Sequence, residues 1–254
     1  MLIGKNILYF TELTSTNDHA KKMVLGGTAK NGDAVIANNQ TAGKGRMGRS
    51  WIAEPDAGLY TSVIIELPTT AIWATLLFGL AALNAVEKTI ESGSASLKWP
   101  NDVLISGKKV CGILVEGCRS PDGINYFIVG VGINVNNNEF PAELSNKATS
   151  LFLETGENYS VSKIATQLFH EMDYLYERCK KDTGYEGFRP FAEEYRQKCM
   201  TLNKDVIITV SRNVISCRAV DIAATGGLVI KLDNDATMIV SSGEVSVRGA
   251  LGYV

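Results

Sequence analysis

The chain has 254 residues, of which 45% are hydrophobic, and it carries 25 basic and 27 acidic side chains. A chain of this length can bury a substantial core, either in one large domain or in one domain with a smaller companion. The near balance of charge argues against a polynucleotide partner, because any nucleic-acid footprint would have to be local.

Cysteine and histidine usage excludes several kinds of site. The five cysteines include no C-x-x-C pair, the histidines His19 and His170 stand far apart, and no secretory leader is apparent. These features indicate neither a disulfide framework nor a zinc site, and they argue against a histidine-dependent nucleophile. We therefore expect reduced packing cysteines in a cytoplasmic protein.

The first quarter of the chain predicts one helix and two strands. Residues 15–25 have the pattern of a capped helix, while "GDAVIANN" at 32–39 and "GLYTSVIIEL" at 58–67 are typical of buried strands. A glycine-rich loop lies between the two strands.

A long helix is predicted next. Its apolar stripe recurs at steps of three or four and consists of Ile72, Leu76, Leu80, Leu83, Val86 and Ile90. We expect the helix to end near Gly93. The apolar run from Ala71 to Val86 is too short to span a bilayer comfortably and contains Asn84, so a buried helix is expected and no membrane association.

The middle of the chain predicts a broken strand and a hairpin. "LKWPNDVLI" at 97–105 is typical of a short strand interrupted at Pro100, and a Ser-Gly turn follows it. "KVCGILVEG" at 109–117 and "NYFIVGVGINVN" at 125–136 predict two paired strands.

Two more helices and an all-β segment complete the chain. An irregular stretch at 136–159 precedes a helix capped by Ser160, and a shorter helix is expected around 188–199. After Leu202, five short apolar segments separated by turns predict a small β-barrel or sandwich. We therefore expect an α+β fold with a body at residues 1–200 and an all-β unit at residues 201–254.

The stretch "QTAGKGRMGRSW" at 40–51 combines three glycines with three cations. Its G-x-G-x-x-G spacing does not indicate a dinucleotide fold, because "RSWIAEPDAG" after it cannot begin a helix. Walker and kinase signatures are absent as well. A solvated basic turn remains the alternative to a phosphate-binding loop.

Four polar segments interrupt the apolar pattern at the ends of predicted elements, at 14–17, 40–51, 98–112 and 130–134. Taken singly they could be a helix cap, a turn or close-packed glycines. Taken together they resemble the biotin protein ligases from about Tyr9 to Leu153. The resemblance is carried by "STN" at 15–17, "GKGRMGRSW", "KWPND" followed by a lysine and "GILVE", "GVGINVN" at 130–136 and "ATSL" at 148–151.

This resemblance implies a fold and an activity. The fold is a mixed β-sheet flanked by helices, similar to class II aminoacyl-tRNA synthetases, with a small C-terminal SH3-like β-barrel. The activity is ATP- and Mg²⁺-dependent conversion of biotin to biotinyl-5'-AMP and transfer of biotin to a lysine of a biotin carboxyl carrier domain. A homodimer is possible, and no repressor function is expected because only about fourteen residues precede "STN".

The biotin-binding residues are expected to combine polar groups with space. The ureido ring needs hydroxyl and amide partners, and glycines leave room for a slim apolar tail. The expected set is Ser15, Thr16, Asn17, Gln40, Gly43, Lys44, Gly45, Arg46, Lys109, Gly112 and Gly130.

The adenylation residues are expected to neutralise two anions, a carboxylate and a phosphate. Lys109 and Arg46 are the catalytic cations, and Asp102 is a candidate for holding the metal or accepting the proton of the acceptor amine. Trp51 offers a stacking surface for adenine. The expected ATP-binding set is Arg46, Arg49, Trp51, Lys98, Asn101, Lys109 and Asn134.

Two positions depart from the family pattern, and three questions stay open. Lys44 stands where many members have arginine, and Met47 stands where many have a second basic residue. A lipoate or other acyl-carrier ligase and a non-catalytic binding module are alternative functions. The C-terminal unit is either a structural cap or a docking site for ATP or the carrier. The glycine loop is expected to be mobile when empty and to close over the intermediate.

Overall fold

A computed structural model describes residues 1–67, 69–90, 95–179, 185–210, 213–241 and 245–249. The strands are β1 Ile7–Leu13, β2 Ala34–Gln40, β3 Gly58–Ile65, β4 Ala95–Lys98, β5 Asp102–Ile105, β6 Lys108–Arg119, β7 Asn125–Asn134, β8 Asp205–Val210, β9 Asn213–Ile222, β10 Leu228–Lys231, β11 Thr237–Val240 and β12 Val245–Gly249. The helices are α1 Thr16–Leu25, α2 Ala71–Ile90, α3 Leu151–Thr155, α4 Val161–Cys179 and α5 Tyr185–Lys198.

Seven strands form the main sheet in the order β1-β2-β3-β7-β6-β5-β4. β1 and β2 are parallel, and the other neighbouring pairs are antiparallel. The predicted mixed sheet and the β6–β7 hairpin are confirmed. β4 and β5 are separated at Pro100 as expected, and the Trp99–Pro100 peptide bond is cis.

Helices cover both faces of this sheet. α1 packs on one face through a small cluster that includes Ala20, Val24 and Ile128. On the other face, α2 packs against β4, β6 and β7 and is itself covered by α4. The side chain of Ser15 caps α1 as predicted, and it accepts a hydrogen bond from the Asp18 amide.

α2 is more deeply buried than its sequence stripe predicts. Residues outside the stripe, such as Leu77 and Ala81, are buried too, because the helix lies between a sheet and another helix. α2 is long and apolar enough to cross a membrane by those criteria alone, yet 72% of its most apolar window is buried inside the molecule. This placement is that of a core helix. Its predicted end near Gly93 lies outside the described residues.

Five C-terminal strands form a second, antiparallel sheet in the order β11-β10-β9-β8-β12. All five follow the segments predicted from the sequence. Buried residues of this sheet, among them Val206, Ile208 and Leu228, belong to the same apolar cluster as α2. The prediction of a separate domain from residue 201 stays a prediction, and residues 250–254 lie outside the described residues.

The sequence missed two elements. β1 is an edge strand whose residues are mostly exposed or half-buried, so it lacks the apolar pattern of a buried strand. α3 lies within the stretch expected to be irregular; it is only five residues long, with Ser150 as its N-cap and Gly156 in the left-handed region at its end.

Candidate active site

A cavity opens where the N-terminus of α1, the glycine loop, β6 and β7 meet. It encloses about 460 Å³, including its open mouth. The floor is contributed by Ser15, Thr16, Asn17 and Gln40, and the loop side by Lys44, Gly45, Arg46 and Trp51. The remaining wall includes Asn101, Lys109, Gly112 and Gly130. The structure thus brings most of the sequence-predicted residues to one place.

The floor is a connected polar network. Gln40 Oε1 accepts hydrogen bonds from the backbone amide of Thr16 at 2.8 Å and from its hydroxyl at 3.1 Å. Asn17 donates from Nδ2 to Glu116 Oε2 at 2.7 Å, and its Oδ1 accepts from Ser62 Oγ at 2.6 Å. Because each group is held by another, the floor presents fixed donors and acceptors to a small polar ring.

Ser62 was missed by the sequence analysis. It is fully buried in β3 and lies opposite Gly130 of β7. The sequence did contain a sign of its role, because Thr61 and Ser62 interrupt an otherwise apolar strand. A buried hydroxyl needs a hydrogen-bond partner. A polar pair within a buried strand therefore indicates the site side of this sheet.

Three glycines bring the strands close to other side chains. The register places Gly112 opposite Gly132. A Cβ at Gly132 would stand 2.6 Å from the Trp51 ring, and one at Gly112 would stand 2.8 Å from both Trp51 and Lys109. A Cβ at Gly130 would collide with the Asn17 side chain. Gly112, Gly130 and Gly132 all line the cavity, and Trp51, Lys109 or Asn17 packs closely against each of them. The passage of the biotin tail beside Gly112 and Gly130 stays a prediction.

The glycine loop folds back on itself as a tight hairpin. Gly45 N–H donates to Arg49 O at 2.7 Å, and Trp51 N–H donates to Gly43 O at 2.9 Å. At its tip, Met47 (φ 56°) and Gly48 (φ 72°) adopt left-handed backbone conformations within a single 3₁₀ turn at Arg46–Gly48. As expected from the sequence, no α-helix follows the glycines, so this loop is not a dinucleotide motif.

Two side-chain contacts hold the loop over the cavity. Lys44 Nζ lies 2.5 Å from Asp18 Oδ1, and this hydrogen bond raises the pKa of Lys44. Arg46 Nη1 donates to Asn101 Oδ1 at 2.9 Å. Burial lowers the pKa of the Arg46 guanidinium; nearby Asp102 opposes this shift. Arg46 nevertheless remains charged, because guanidinium pKa values start far above neutrality.

Lys109 is held between a carboxylate and an aromatic ring. Its Nζ lies 2.6 Å from Asp102 Oδ1 and 5.2 Å from the centre of the Trp51 ring. Asn101, which accepts from Arg46, is followed directly in sequence by Asp102, which pairs with Lys109 and begins β5. Lys109 and Arg46 consequently converge on one side of one cavity.

Five predicted residues are not among those lining this cavity: Gly43, Arg49, Lys98, Asp102 and Asn134. Gly43 meets the Trp51 backbone, where a Cβ would approach the carbonyl oxygen to 2.6 Å. Arg49 is exposed on the loop, and Lys98 is buried in β4. The lining consists of other residues, so the contact of Gly43 with biotin and the contacts of Arg49 and Lys98 with ATP stay predictions.

Asn134 has a supporting position. It is buried, and its Nδ2 donates to Thr149 O at 3.0 Å. Thr149 N–H in turn donates to Lys109 O at 2.9 Å. Asn134 is therefore linked to the Lys109 backbone through Thr149, and its expected contact with ribose or base stays a prediction.

Mg²⁺ is the metal that the resemblance implies. Within the described parts of the chain, no group of three or more His, Cys, Asp or Glu side chains could hold a metal ion. Asp102, the candidate carboxylate, already contacts the Lys109 ammonium at 2.6 Å. An ion carried by phosphate oxygens of ATP fits this arrangement better than an ion in a dedicated protein cage.

Comparisons with known proteins agree with this geometry. Residues 8–136 match the biotin/lipoate A/B protein ligase family, and residues 201–248 match the biotin protein ligase C-terminal domain. The bifunctional ligase/repressor BirA of Bacillus subtilis is 30% identical over 95% of this chain and 74% of its own length. Biotin–[acetyl-CoA-carboxylase] ligase of Mycobacterium tuberculosis is 32% identical over 91% of this chain and 85% of its own length.

A solved structure is similar along nearly the whole chain. The biotin protein ligase from Aquifex aeolicus, in complex with biotin and ATP, superposes with a TM-score of 0.84 at 30% identity, covering 97% of this chain and 100% of that one. The fold and site therefore define a protein ligase, and the chain belongs to the biotin/lipoate A/B protein ligase family. Its C-terminal match places it with the biotin protein ligases, as the sequence predicted.

Proposed function

We propose that the protein activates biotin with ATP to biotinyl-5'-AMP and transfers the biotin to a lysine of a biotin carboxyl carrier domain in the cytoplasm. The observation that carries this proposal is the convergence of Lys109 and Arg46 on the cavity whose floor is the Thr16–Gln40 network. A site that only bound a polar ring would need the floor but not the two cations.

The first half-reaction joins two anions. A carboxylate oxygen of biotin attacks the α-phosphorus of ATP, the bond to the bridging oxygen breaks, and pyrophosphate leaves. Lys109 and Arg46 supply positive charge where the oxyanions develop, and their partners Asp102 and Asn101 fix them in place before the reaction. Mg²⁺ would accompany the ATP phosphates and neutralise part of their charge.

The second half-reaction requires a deprotonated amine. The ε-amine of the acceptor lysine attacks the carbonyl carbon of the mixed anhydride, and AMP leaves with the electron pair of the broken bond. Asp102, which lies against the ammonium of Lys109, would accept the proton of the amine. The loop, tied down by Lys44 and Arg46, would keep water from the anhydride.

Pyrophosphate release and label transfer test the proposal together. The purified protein would be mixed with MgATP, a biotin carboxyl carrier domain, and either labelled biotin or labelled lipoate. We expect pyrophosphate and labelled carrier in the reaction with biotin and neither in the reaction with lipoate. A carrier whose acceptor lysine is replaced by arginine should receive no label. Label from lipoate alone would indicate a lipoate ligase, and biotin binding without pyrophosphate would indicate a non-catalytic binding module.

A further inference from the structure

Trp99 connects the C-terminal sheet to the active-site segment. It follows β4 directly and its side chain is only 1% exposed. Its backbone amide donates to Thr201 Oγ1 at 3.0 Å, and its indole Nε1–H donates to Gly226 O at 3.1 Å. Both acceptors lie in the part of the chain that matches the C-terminal domain.

The turn that carries Gly226 is itself seated on the body. Gly226 N–H donates to Ala223 O at 2.8 Å, and Gly226 adopts a left-handed φ of 81°. A Cβ at Gly226 would approach Ile72 to 3.1 Å and Trp73 to 3.4 Å, both at the start of α2. The carbonyl that receives the Trp99 indole is therefore held by the turn and by α2.

The segment from Trp99 to Asp102, which we term the 99–102 segment, ends in the active site. Asn101 is fixed to β6 twice, since its O accepts from Ile113 N–H at 2.9 Å and its Nδ2 donates to Ile113 O at 3.1 Å. Its side-chain oxygen, Oδ1, accepts from Arg46. Asp102 pairs with Lys109. One end of this four-residue segment is thus anchored by the C-terminal sheet, and the other holds both cations.

We propose that Trp99 is a positioning residue, through which the C-terminal sheet sets the place of Asn101 and Asp102 against Arg46 and Lys109. This inference rests on the proposed function. It gives the C-terminal unit a part in adenylation that needs no contact with ATP or the carrier. This role differs from that of a passive structural cap, because the C-terminal sheet acts on the 99–102 segment through a specific hydrogen bond, from Trp99 Nε1 to Gly226 O.

The test is Trp99→Phe, which removes the indole donor and keeps an aromatic ring in the core. A displacement of about 1 Å in a catalytic group can cost up to about a hundredfold in rate. We therefore expect kcat for pyrophosphate release to fall by about tenfold or more, with the KM for biotin within about twofold, because the floor residues are untouched. Trp73→Phe is the matched control, because it makes the same substitution beside the same turn at a residue outside the 99–102 segment, so its kcat should stay within about twofold of the wild type.

A double-mutant cycle separates positioning from general destabilisation. In an Asn101→Ala background, Trp99→Phe should lower kcat by less than about a further twofold, because the side chain that Trp99 positions has already been removed. An equal loss in both backgrounds, or a wild-type kcat for Trp99→Phe, would overturn the inference. If Trp99→Phe does not fold, as judged by circular dichroism, Thr201→Val replaces it in the cycle and removes the other acceptor.

The proposed function and this inference can fail separately. A folded wild-type protein that releases no pyrophosphate from biotin and MgATP would overturn the proposed function and, with it, the inference. An active wild type whose Trp99 and Thr201 variants keep its kcat would overturn the inference alone.

Discussion

Lys109 lies between the Asp102 carboxylate and the Trp51 ring and lines the cavity, where its positive charge can stabilise the reacting anions. Lys109→Ala removes a preorganised cation and leaves Asp102 without this partner. We expect kcat for pyrophosphate release to fall by about a hundredfold to a thousandfold, the usual effect of one such group. Lys108→Ala, one residue earlier in β6 and outside the cavity lining, should stay within about twofold. Near-normal turnover of the Lys109 variant would remove this residue from the reaction centre.

Arg46 has a second role as one of the two ties that hold the glycine loop. Arg46→Gly breaks its hydrogen bond to Asn101 and should let the adenylate escape into solution. Labelling of an unrelated lysine-rich protein, added beside the carrier, measures that escape, and we expect it to rise at least about tenfold. Labelling that stays confined to the carrier would contradict the proposed retention of the intermediate.

Asp18→Asn provides a matched comparison for the Arg46 variant, because it weakens the other tie. The Lys44 and Asp18 side chains are 47% and 32% exposed, and exposed ion pairs contribute only ~0.2–1 kcal/mol. Stray labelling by the Asp18 variant should therefore change by less than about fivefold. If stray labelling rises more with Asp18→Asn than with Arg46→Gly, the Lys44–Asp18 contact is the main one that holds the loop closed.

At the scale of elements, the close approach of β6 and β7 to the loop depends on glycine. Gly132→Ala would put a methyl group 2.6 Å from the Trp51 ring and force the indole to move. Overpacking of this kind costs about 1–3 kcal/mol. We expect lower adenylation activity and a shift in tryptophan fluorescence, because Trp51 leaves its half-buried position against β6 and β7. Gly117→Ala, in the neighbouring strand β6 with open space at its Cβ, should leave both unchanged. An unaltered Trp51 signal in the Gly132 variant would contradict the packing described here.

The elements differ in how far sequence could predict them. α1, β2, β3 and the β6–β7 hairpin have strong local signals, and each was predicted. β1 could not be predicted in this way, because an edge strand with Tyr9 65% exposed has no buried periodicity. The site residues were predicted from the resemblance of four polar segments to the biotin protein ligases and from the chemistry of their side chains. The placement of Trp51 over Gly112 and Gly132 could not be predicted from the sequence, because it depends on the register of two strands and on the path of a loop.

At the scale of the whole molecule, the two sheets share one apolar core. Buried residues of β8, β9 and β10 contact the cluster that contains α2, α4 and Trp99. Inter-sheet contacts of this kind favour a single cooperative unfolding transition over two independent ones. The same continuity places Gly226 O within hydrogen-bonding distance of Trp99, the first residue of the 99–102 segment.

Ile230→Ala tests this shared core from the side remote from the active site. Ile230 is fully buried in β10, and such truncations cost about 2–5 kcal/mol, partly through the cavity that they leave. If the core is one unit, the near-ultraviolet signal of Trp73 and Trp99 in the body should melt together with the far-ultraviolet signal, both at a lower temperature than in the wild type. Val214→Ala, at a position that is 68% exposed in β9, should leave the melting temperature unchanged. Two resolved transitions, with the tryptophan signal melting at the wild-type temperature, would mean that the C-terminal sheet folds independently. In that case Gly226 would not be a fixed partner for Trp99 over the whole range in which the body stays folded.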